Sequence, residues 1–366
     1  MRRVYWLALA AAGLSVYALA RSRGSRNVHQ ELPPNAARIV VLGAGFAGMA
    51  AARELGRRLR GQAQILLVDR HNYHLFTPLL FQVATCGVDP FDVAFPVGGS
   101  TGVETAAALA DTLRRVLPRE YPSLDLAEAR VLVVESRGKL LGHMSDRLAA
   151  IALSRLRTKG VEVWLNAKAR DVTADQVATD DGRTVRTRTV IWATGVQAPE
   201  VVAAAKTQHG KGESLAVDEY LRVRGHPEVY AAGDDAHLED PQTHEAVPLL
   251  AQAAVQEGAA AAANLARAIA GRPQVPFHFR QLGNALSLGR GAGAIEVGGL
   301  AFDGLAGGLI WQIIHLAKTV GLRGRLATAL DWGVDYFEEQ DTARLDLVPI
   351  GATSGRDGAR AGGRSG

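Results

Sequence analysis

The chain has 366 residues, a formal net charge of +4 and a single cysteine. This length suffices for two domains with a large apolar core, and the small, evenly spread charge excludes a nucleic-acid-binding surface. With only Cys86, the chain has no disulfide framework and no Cys/His metal cluster, so we expect no metal. The single cysteine also excludes electron transfer through a cysteine pair within the chain.

The N-terminal segment, residues 1–27, is apolar from residue 4 to residue 20 and is flanked by arginines. Two interpretations compete: a signal peptide that is cleaved after Ala20, or a retained anchor at the lower length limit for spanning a bilayer. The slightly larger number of arginines on the C-terminal side favours an anchor with that side cytoplasmic. Residues 28–37 are predicted to form a linker.

A first glycine-rich motif lies at residues 43–48, between a predicted strand (38–42) and a predicted helix (50–60). A second strand is predicted at 64–69. The glycines Gly43, Gly45 and Gly48 permit a tight turn and close approach of the backbone to a pyrophosphate at the helix N-terminus. Asp69, at the end of the second strand, is placed to bind a ribose. The motif therefore predicts dinucleotide binding.

A second, weaker copy of this motif contains Gly98, Gly99 and Gly102. A helix at 101–116 and a strand at 130–135 follow it, and Glu135 would be the ribose-binding acid. The first glycine is replaced by Val97, and residues 92–96 are predicted to make a poor central strand because of Pro96. An acid at the end of the second strand favours NADH over NADPH, because it would repel a 2′-phosphate.

The remaining pattern continues an α/β arrangement. A helix is predicted at 146–159, a strand at 161–166, and alternating segments at 169–191 around an Asp-Gly turn. Two strands end at Thr194-Gly195 and at Gly233-Asp234, where α/β sheets place ligands. Residues 305–337 predict a pair of interfacial helices, with a core or dimer-interface pair as the alternative. Residues 351–366 are predicted to be disordered.

With these motifs the sequence resembles the type II NADH dehydrogenases, single-subunit NADH:quinone oxidoreductases. The resemblance runs from about residue 38 to residue 345 and is carried by VLGAGFAG, RHNYHLFTPLLFQVAT, GGSTGVE, LVVES, VIWATGV, GHPEVYAAGD, AQAAVQEG and LSLGR. It implies an α/β fold with two Rossmann-like dinucleotide-binding domains and C-terminal membrane-associating helices. It implies an FAD-binding domain in two parts, 38–96 and 218–303, with an NADH-binding domain at 97–217 between them. The C-terminal helices would occupy 304–345, and a tail would occupy 346–366.

The resemblance also implies the ligands and their residues. FAD would contact Gly43, Gly45, Gly48, Asp69, Thr77, Thr194, Gly195, Gly233, Asp234 and Ala251. NADH would lie on Gly98, Gly99, Gly102 and Glu135, with Glu104 near the nicotinamide carboxamide. Gln252 and Gln256 would line a quinone site beside the flavin. Hydride would pass from NADH to flavin and two electrons would then pass to a membrane quinone, with the protein on the cytoplasmic face of the membrane, as a monomer or a homodimer.

One departure from the family affects the FAD-binding domain. Only about 27 residues separate Asp69 from the second motif, and the family places many more there, so this domain is expected to be truncated. A smaller departure lies at Leu282 and Asn284. A truncated sheet would leave an apolar face and an open edge, unless residues 92–97 act as a strand or a second subunit covers the gap. A non-catalytic FAD-binding relative is therefore one alternative, and a soluble reductase with a protein acceptor is another.

Overall fold

A computed structural model of the chain describes residues 36–71, 93–95, 98–123, 126, 129–193, 195–318 and 322–337. The expectations for the N-terminal segment 1–27, for most of the linker 28–37 and for the tail 346–366 lie outside these residues. Within the described part of the chain, no helix combines the length and the hydropathy that crossing a membrane requires.

The first unit of the fold is a β-α-β unit around the first glycine motif. Its elements are β1 (Ala37–Leu42), α1 (Phe46–Leu59) and β2 (Ala63–Val68). The two strands are parallel and in register from Ala37 opposite Ala63 to Leu42 opposite Val68. The helix begins four residues before the predicted start, because Gly45 already acts as its N-terminal cap. Its buried Leu55 and Leu59 pack on the inner face of the sheet.

The second unit contains a four-stranded parallel sheet and the larger core. Its elements are β3 (Val93–Phe95), α2 (Ser100–Asp111) extended by a π-helical turn (Thr112–Val116), α3 (Leu117–Glu120), β4 (Val131–Val134), α4 (Asp146–Thr158) and β5 (Val161–Trp164). Strand β9, described below, completes the sheet in the order β5-β4-β3-β9. All four residues of β4 are buried.

The prediction of a poor central strand before the second motif was wrong. Strand β3 pairs in parallel with β4 on one side and with Thr189–Val190 on the other. It ends at Phe95, the residue before Pro96, so the proline's missing amide lies beyond the paired residues. The second unit therefore begins by Val93, four residues before the predicted boundary at 97.

The predicted hairpin region forms a three-stranded antiparallel sheet and then returns to the parallel one. Its strands are β6 (Ala169–Val172), β7 (Gln176–Thr179), β8 (Thr184–Arg186) and β9 (Thr189–Val190). Gly182 has a φ of +86° at the predicted turn. The side chain of Asp181 accepts hydrogen bonds there from the Thr179 hydroxyl at 2.6 Å and from the Arg183 amide at 3.2 Å.

The region after the second unit contains short strands and one long helix. Its elements are α5 (Glu200–Ala203), β10 (Leu215–Ala216), β11 (Arg222–Val223), β12 (His226–Tyr230), β13 (Ala236–His237) and α6 (Ala251–Ile269). Strand β12 pairs antiparallel with β11. Helix α6 packs against α1, and its Ala262 and Ala266 join the core of the first unit.

The C-terminal part is a three-stranded sheet covered by a helix. Its elements are β14 (Asn284–Ser287), β15 (Gly293–Val297), β16 (Leu300–Asp303), α7 (Gly304–Lys318) and α8 (Leu322–Phe337). Helix α7 starts at Gly304, one residue before the segment 305–337 that was predicted to form two helices. It approaches β15 so closely that a Cβ on Gly293 would lie 2.8 Å from the backbone of Gly307. Trp311 of α7 and Trp332 of α8 pack together with ring centroids 5.8 Å apart.

One face of the first sheet is apolar and open to solvent. Val40, Leu42, Leu66 and Val68 alternate along β1 and β2 on the face away from α1, and each is 42–67% exposed. Among the described residues, this sheet has two strands.

Candidate functional site

The first glycine loop, residues 43–48, has the shape that its sequence predicts. Gly43 has a φ of +89°, and a Cβ on Gly48 would lie only 1.9 Å from the Gly43 carbonyl oxygen, so the loop closes tightly on the first turn of α1. No side chain caps α1, and its first turn carries no acid. The helix N-terminus therefore presents amides and a positive dipole end that suit a phosphate.

Asp69 closes this loop from the end of β2. Its Oδ2 accepts a hydrogen bond from the Ala44 amide at 2.6 Å, and its Oδ1 accepts one from the His71 amide at 2.7 Å. These two backbone donors lower the pKa of Asp69, the Ala44 amide being the larger cause. The residue is a carboxylate at neutral pH and remains exposed, so it can still accept hydrogen bonds from ribose hydroxyls.

The second glycine loop, residues 98–102, leads into α2 through Gly99, which caps the helix without a side-chain hydrogen bond. Glu135 lies at the end of β4 and is 7% exposed. Its Oε2 accepts from the Gly98 amide at 3.0 Å, and its Oε1 accepts from the Arg137 amide at 2.9 Å. A Cβ on Gly98 would lie 2.4 Å from the end of the Leu140 side chain, so any larger residue there would require Leu140 to move.

The two loops use their acids in the same way. In each loop, the acid accepts a hydrogen bond from the amide of the residue before the second glycine, which is Ala44 in the first loop and Gly98 in the second. Each acid also accepts a hydrogen bond from the amide two residues after itself in the chain. This repeated geometry supports the prediction that the second loop also binds a dinucleotide, although Val97 replaces its first glycine.

Gly233 and Asp234 lie against the first glycine loop. Gly233 has a φ of +74°, and a Cβ on it would lie 3.2 Å from the Cβ of Ala47 in the first turn of α1 and 3.3 Å from that of Ala254 in α6. Two motifs that are 185 residues apart thus meet at the helix N-terminus. Loss of hydration raises the pKa of Asp234.

Glu257 is a part of this site that the sequence analysis missed. Its side chain is buried in α6, and its Oε2 accepts a hydrogen bond from the Gly233 amide at 2.5 Å. Desolvation, followed by the charge of Asp234, raises the pKa of Glu257 to about 7. An acid on the apolar face of the AQAAVQEG helix was the available signal, because such residues are rarely buried without a partner.

The glutamines of the same helix are engaged with an extended segment of the chain. Gln256 exchanges two hydrogen bonds with the backbone of Arg280, at 2.9 and 3.1 Å. Gln252 donates to the Gly283 carbonyl and accepts from the Leu282 amide, both at 3.1 Å. Ala251 is the first residue of the helix. The two amide groups therefore hold residues 280–283 along α6.

Glu104 connects the second unit to the C-terminal part. Its Oε1 accepts a hydrogen bond from the Ser287 amide of β14 at 2.9 Å, and the side chain of Trp311 in α7 acts to lower its pKa. Desolvation raises the pKa of Glu104 to about 8. The sequence analysis placed this residue near a nicotinamide and did not predict either protein partner.

Two of the predicted cofactor contacts, Thr77 and Thr194, lie outside the described residues. Gly195 is described and has a φ of +66°, with open space where its Cβ would be. Gly102 is buried within the first turns of α2. The structure thus brings Gly43, Gly48, Asp69 and Gly233 together around one helix N-terminus, and Gly98 and Glu135 together around another.

A family model described as pyridine nucleotide-disulphide oxidoreductase matches residues 97–258. This span includes the second glycine loop, Gly233-Asp234 and the start of α6. The match and the two acid-closed loops define the class: an α/β oxidoreductase with dinucleotide-binding folds.

Curated relatives narrow the class. A probable NADH dehydrogenase of Dictyostelium discoideum is 26% identical over 235 residues, which are 64% of this chain and 52% of that protein. The type II NADH:quinone oxidoreductase Ndh of Mycobacterium tuberculosis is 22% identical over an alignment of 421 positions, which covers 83% of this chain and 89% of that protein. The type II NADH:quinone oxidoreductase NdhA of the same organism is 29% identical over 252 residues, which cover 65% of this chain and 52% of that protein. The chain thus spans about half the length of two of these relatives.

A solved structure has the same fold. NDH2 of Plasmodium falciparum in complex with NADH superposes with a TM-score of 0.73 over 84% of this chain and 100% of that chain, at 13% identity. The sulfide:quinone oxidoreductase of Aquifex aeolicus follows with a TM-score of 0.62. These solved structures show a shared fold, and the curated relatives show that the sequence is similar to those of type II NADH dehydrogenases.

Proposed function

We propose that this chain binds FAD at the first glycine loop, oxidises NADH bound at the second, and passes two electrons to a membrane quinone. The observation that carries the proposal is the packing of Gly233 against Ala47, because it joins the two halves of an FAD site at the N-terminus of α1. The repeated acid contact of the second loop supports a nucleotide there. The choice of NADH and a quinone as substrates is supported by the curated relatives, two of which are named type II NADH:quinone oxidoreductases.

The chain's own residues would bind and orient both cofactors. The N-terminus of α1 fits the FAD diphosphate, and Asp69 fits the ribose of its adenosine half. Glu135 would bind the ribose of NADH and disfavour NADPH. Bound flavin would supply the redox chemistry, which the protein cannot supply itself because Cys86 is its only cysteine.

The C-terminal helices are proposed to dock on the cytoplasmic face of a membrane, where the quinone dissolves. Leucine and isoleucine residues at four-residue spacing form one exposed stripe on each helix: Leu305, Leu309, Ile313, Leu322, Leu326 and Leu330. Each is 45–72% exposed, and such stripes favour burial in an interface. A homodimer interface is the other occupant that the sequence analysis left open. Gln252 and Gln256 would face the quinone site, with their amides held by residues 280–283.

The stripes can be tested by vesicle flotation. The double variant Leu309→Gln/Ile313→Gln should lose binding to neutral lipid vesicles, whereas Val201→Gln, which alters a more exposed apolar residue on α5, should bind like wild type. A double variant that floats normally but becomes monomeric would assign the stripes to a dimer interface instead.

The proposed reaction is tested by the visible absorption spectrum of the purified chain, before and after anaerobic NADH. Flavin bands that bleach with NADH and recover with added quinone are the expected result. Bands that do not bleach would remove the NADH step, and a colourless protein that does not take up added FAD would remove the whole proposal.

A non-catalytic FAD-binding relative is the second candidate, and the first sheet favours it. In the described residues that sheet has two strands and an exposed apolar face, and the alignment with Ndh contains many positions at which this chain has no residue. The NADH titration separates the two candidates, because this alternative predicts flavin bands that persist.

A further inference from the structure

Glu257 lies where α1, α6 and the turn at residues 233–235 cross. The residue is 4% exposed, and its Oε2 accepts from the Gly233 amide at 2.5 Å. The next residue, Gly258, is pressed against α1, since a Cβ there would lie 2.1 Å from the Ala47 carbonyl oxygen. The carboxyl group is therefore enclosed by the elements that form the first nucleotide site.

This hydrogen bond sets the orientation of the Gly233 turn. Gly233 adopts a φ of +74° and fills a slot between Ala47 and Ala254 that has no room for a relaxed side chain. Its amide would be buried without a hydrogen-bond partner if Glu257 were absent, which is unfavourable. Gly233 lies against Ala47, which belongs to the first turn of α1. A substitution of Glu257 that moves Gly233 would therefore also move the proposed phosphate-binding end of this helix.

The charges around Glu257 are all negative. Asp234 is the charged group that acts on it, and it raises the pKa of Glu257 beyond the effect of desolvation. Asp235 follows Asp234 in the same turn, and α1 contributes Ala47 at the crossing, with Arg53 and Glu54 more than a turn further along. In the described part of the chain, no cation offsets the carboxyl group. A diphosphate at the N-terminus of α1 would add more negative charge.

We propose that Glu257 is a positioning residue of the FAD site and that its carboxyl group takes up a proton when FAD binds. The proposal rests on the proposed function, since it names FAD as the ligand. The proton comes from solvent and converts the carboxylate to a carboxylic acid, whose carbonyl oxygen still accepts the Gly233 amide. The uptake removes one negative charge from beside the bound diphosphate.

This coupling gives a defined pH dependence. The pKa of Glu257 without ligand is about 7, so binding that requires its proton weakens about tenfold from pH 6 to pH 8. Binding that needs no proton at this residue is flat over the same range. If Glu257 had only a structural role, its substitution would lower the affinity for FAD without changing how that affinity depends on pH.

The experiment is a fluorescence titration of the flavin-free chain with FAD at pH 6, 7 and 8. Wild type should show the tenfold loss, and Glu257→Gln, which keeps an acceptor for Gly233, should bind FAD within about twofold at all three values. Glu228→Gln, in the strand that leads to the same turn, is the matched control and should keep the wild-type slope. A flat wild-type profile, or an unchanged slope in Glu257→Gln, would overturn the proposal.

A second measurement needs no variant. Calorimetry of FAD binding in two buffers of different ionisation enthalpy should detect uptake of nearly one proton at pH 8 and close to none at pH 5.5, and no uptake at pH 8 overturns the proposal. FAD binding with this pH dependence but without bleaching by NADH would leave the Glu257 proposal standing and remove the NADH step. A chain that binds no FAD at any pH would remove both.

Discussion

The two glycine loops of this chain are alike in local geometry and unlike in what surrounds them. Each is a strand, a glycine turn and a helix, closed by an acid that accepts the amide before the second glycine. The second loop follows a four-stranded sheet whose central strand β4 is fully buried. The first follows two strands with an exposed apolar face. A loop geometry can therefore be set locally, while its support depends on the sheet behind it.

The first loop obtains from a helix the support that its sheet does not provide. Helix α6 contributes Ala262 and Ala266 to the core beneath β1, and its Gly258 touches Ala47 at the loop itself. The second loop is instead connected to the C-terminal part, through Glu104 and Ser287. The corresponding position in the first helix is Ala50, which carries no charge. These differences lead to four predictions, from the largest effect to the smallest.

Gly48→Ala should disable the first loop alone. Its Cβ would meet the Gly43 carbonyl at 1.9 Å, and the backbone shift required costs about 3 kcal/mol, or roughly a hundredfold in FAD affinity. NADH binding at the second loop should persist. The flavin content of the purified variant measures the first effect and an NADH titration the second.

Gly56→Ala is the matched control, because its Cβ would meet nothing within 4 Å on the same helix. It should keep its flavin and be slightly more stable. Normal flavin content in Gly48→Ala would show that the loop is not the FAD site.

Glu104→Gln should change how stability depends on pH. The pKa of Glu104 is raised to about 8 in the folded chain, so the folded state binds the proton more tightly than the unfolded state does. The stability from this group is full below about pH 4.5 and is lost as pH rises through about 8. Wild type should lose on the order of 3 kcal/mol between pH 5 and pH 9 from this residue, and the glutamine variant should not.

Chemical denaturation at several pH values measures this difference, with Ala50→Gln in the first helix as a reference whose pH profile should follow wild type. Parallel profiles for wild type and Glu104→Gln would show that the carboxyl group is solvated.

Alanine substitution in the two sheets should separate their contributions to stability. Val133 in β4 is fully buried and Val40 in β1 is 58% exposed. Val133→Ala should lower the free energy of unfolding by about 2 kcal/mol. Val40→Ala should change it by no more than about 0.5 kcal/mol. The free energies of unfolding measure both. Equal costs would show that the apolar face of the first sheet is covered in solution.

Glu135→Gln should affect the second loop while leaving the first intact. Loss of the carboxylate removes charge-assisted hydrogen bonds to a ribose, so NADH affinity should fall about tenfold and the preference over NADPH should narrow. Flavin content should stay at the wild-type level. Fluorescence titrations with the two nucleotides measure the ratio, and an unchanged ratio would show that Glu135 serves only to hold the Gly98 amide.

Much of the fold was predictable because its signals are local. The strands and helices of both units follow from hydrophobic periodicity, and the loops follow from glycine spacing with an acid at the end of the next strand. The predicted limits were shifted at α1, where the cap lies inside the motif, and at β3. Pro96 cannot donate a backbone hydrogen bond, as the prediction assumed, but this does not affect residues 93–95, which form β3.

The partners of the two desolvated carboxyl groups could not be predicted in this way. Glu104 meets Ser287, 183 residues later in the chain, and Glu257 meets Gly233 across a helix crossing. Gln252 and Gln256 are at recognisable positions of a motif, yet their hydrogen bonds depend on the path of residues 280–283. Each of these contacts requires a packing arrangement that no local pattern encodes.

The sequence by itself determined the class of the protein, the two nucleotide loops and the acids that close them, because these depend on backbone freedom and charge at fixed spacing. Only the tertiary structure decided that Gly233 lies on Ala47, that α6 supports a sheet of two described strands, that Glu257 is buried and that Glu104 is partly desolvated. Burial and desolvation are properties of packed neighbours, so the chemistry of these two carboxyl groups exists only in the folded chain.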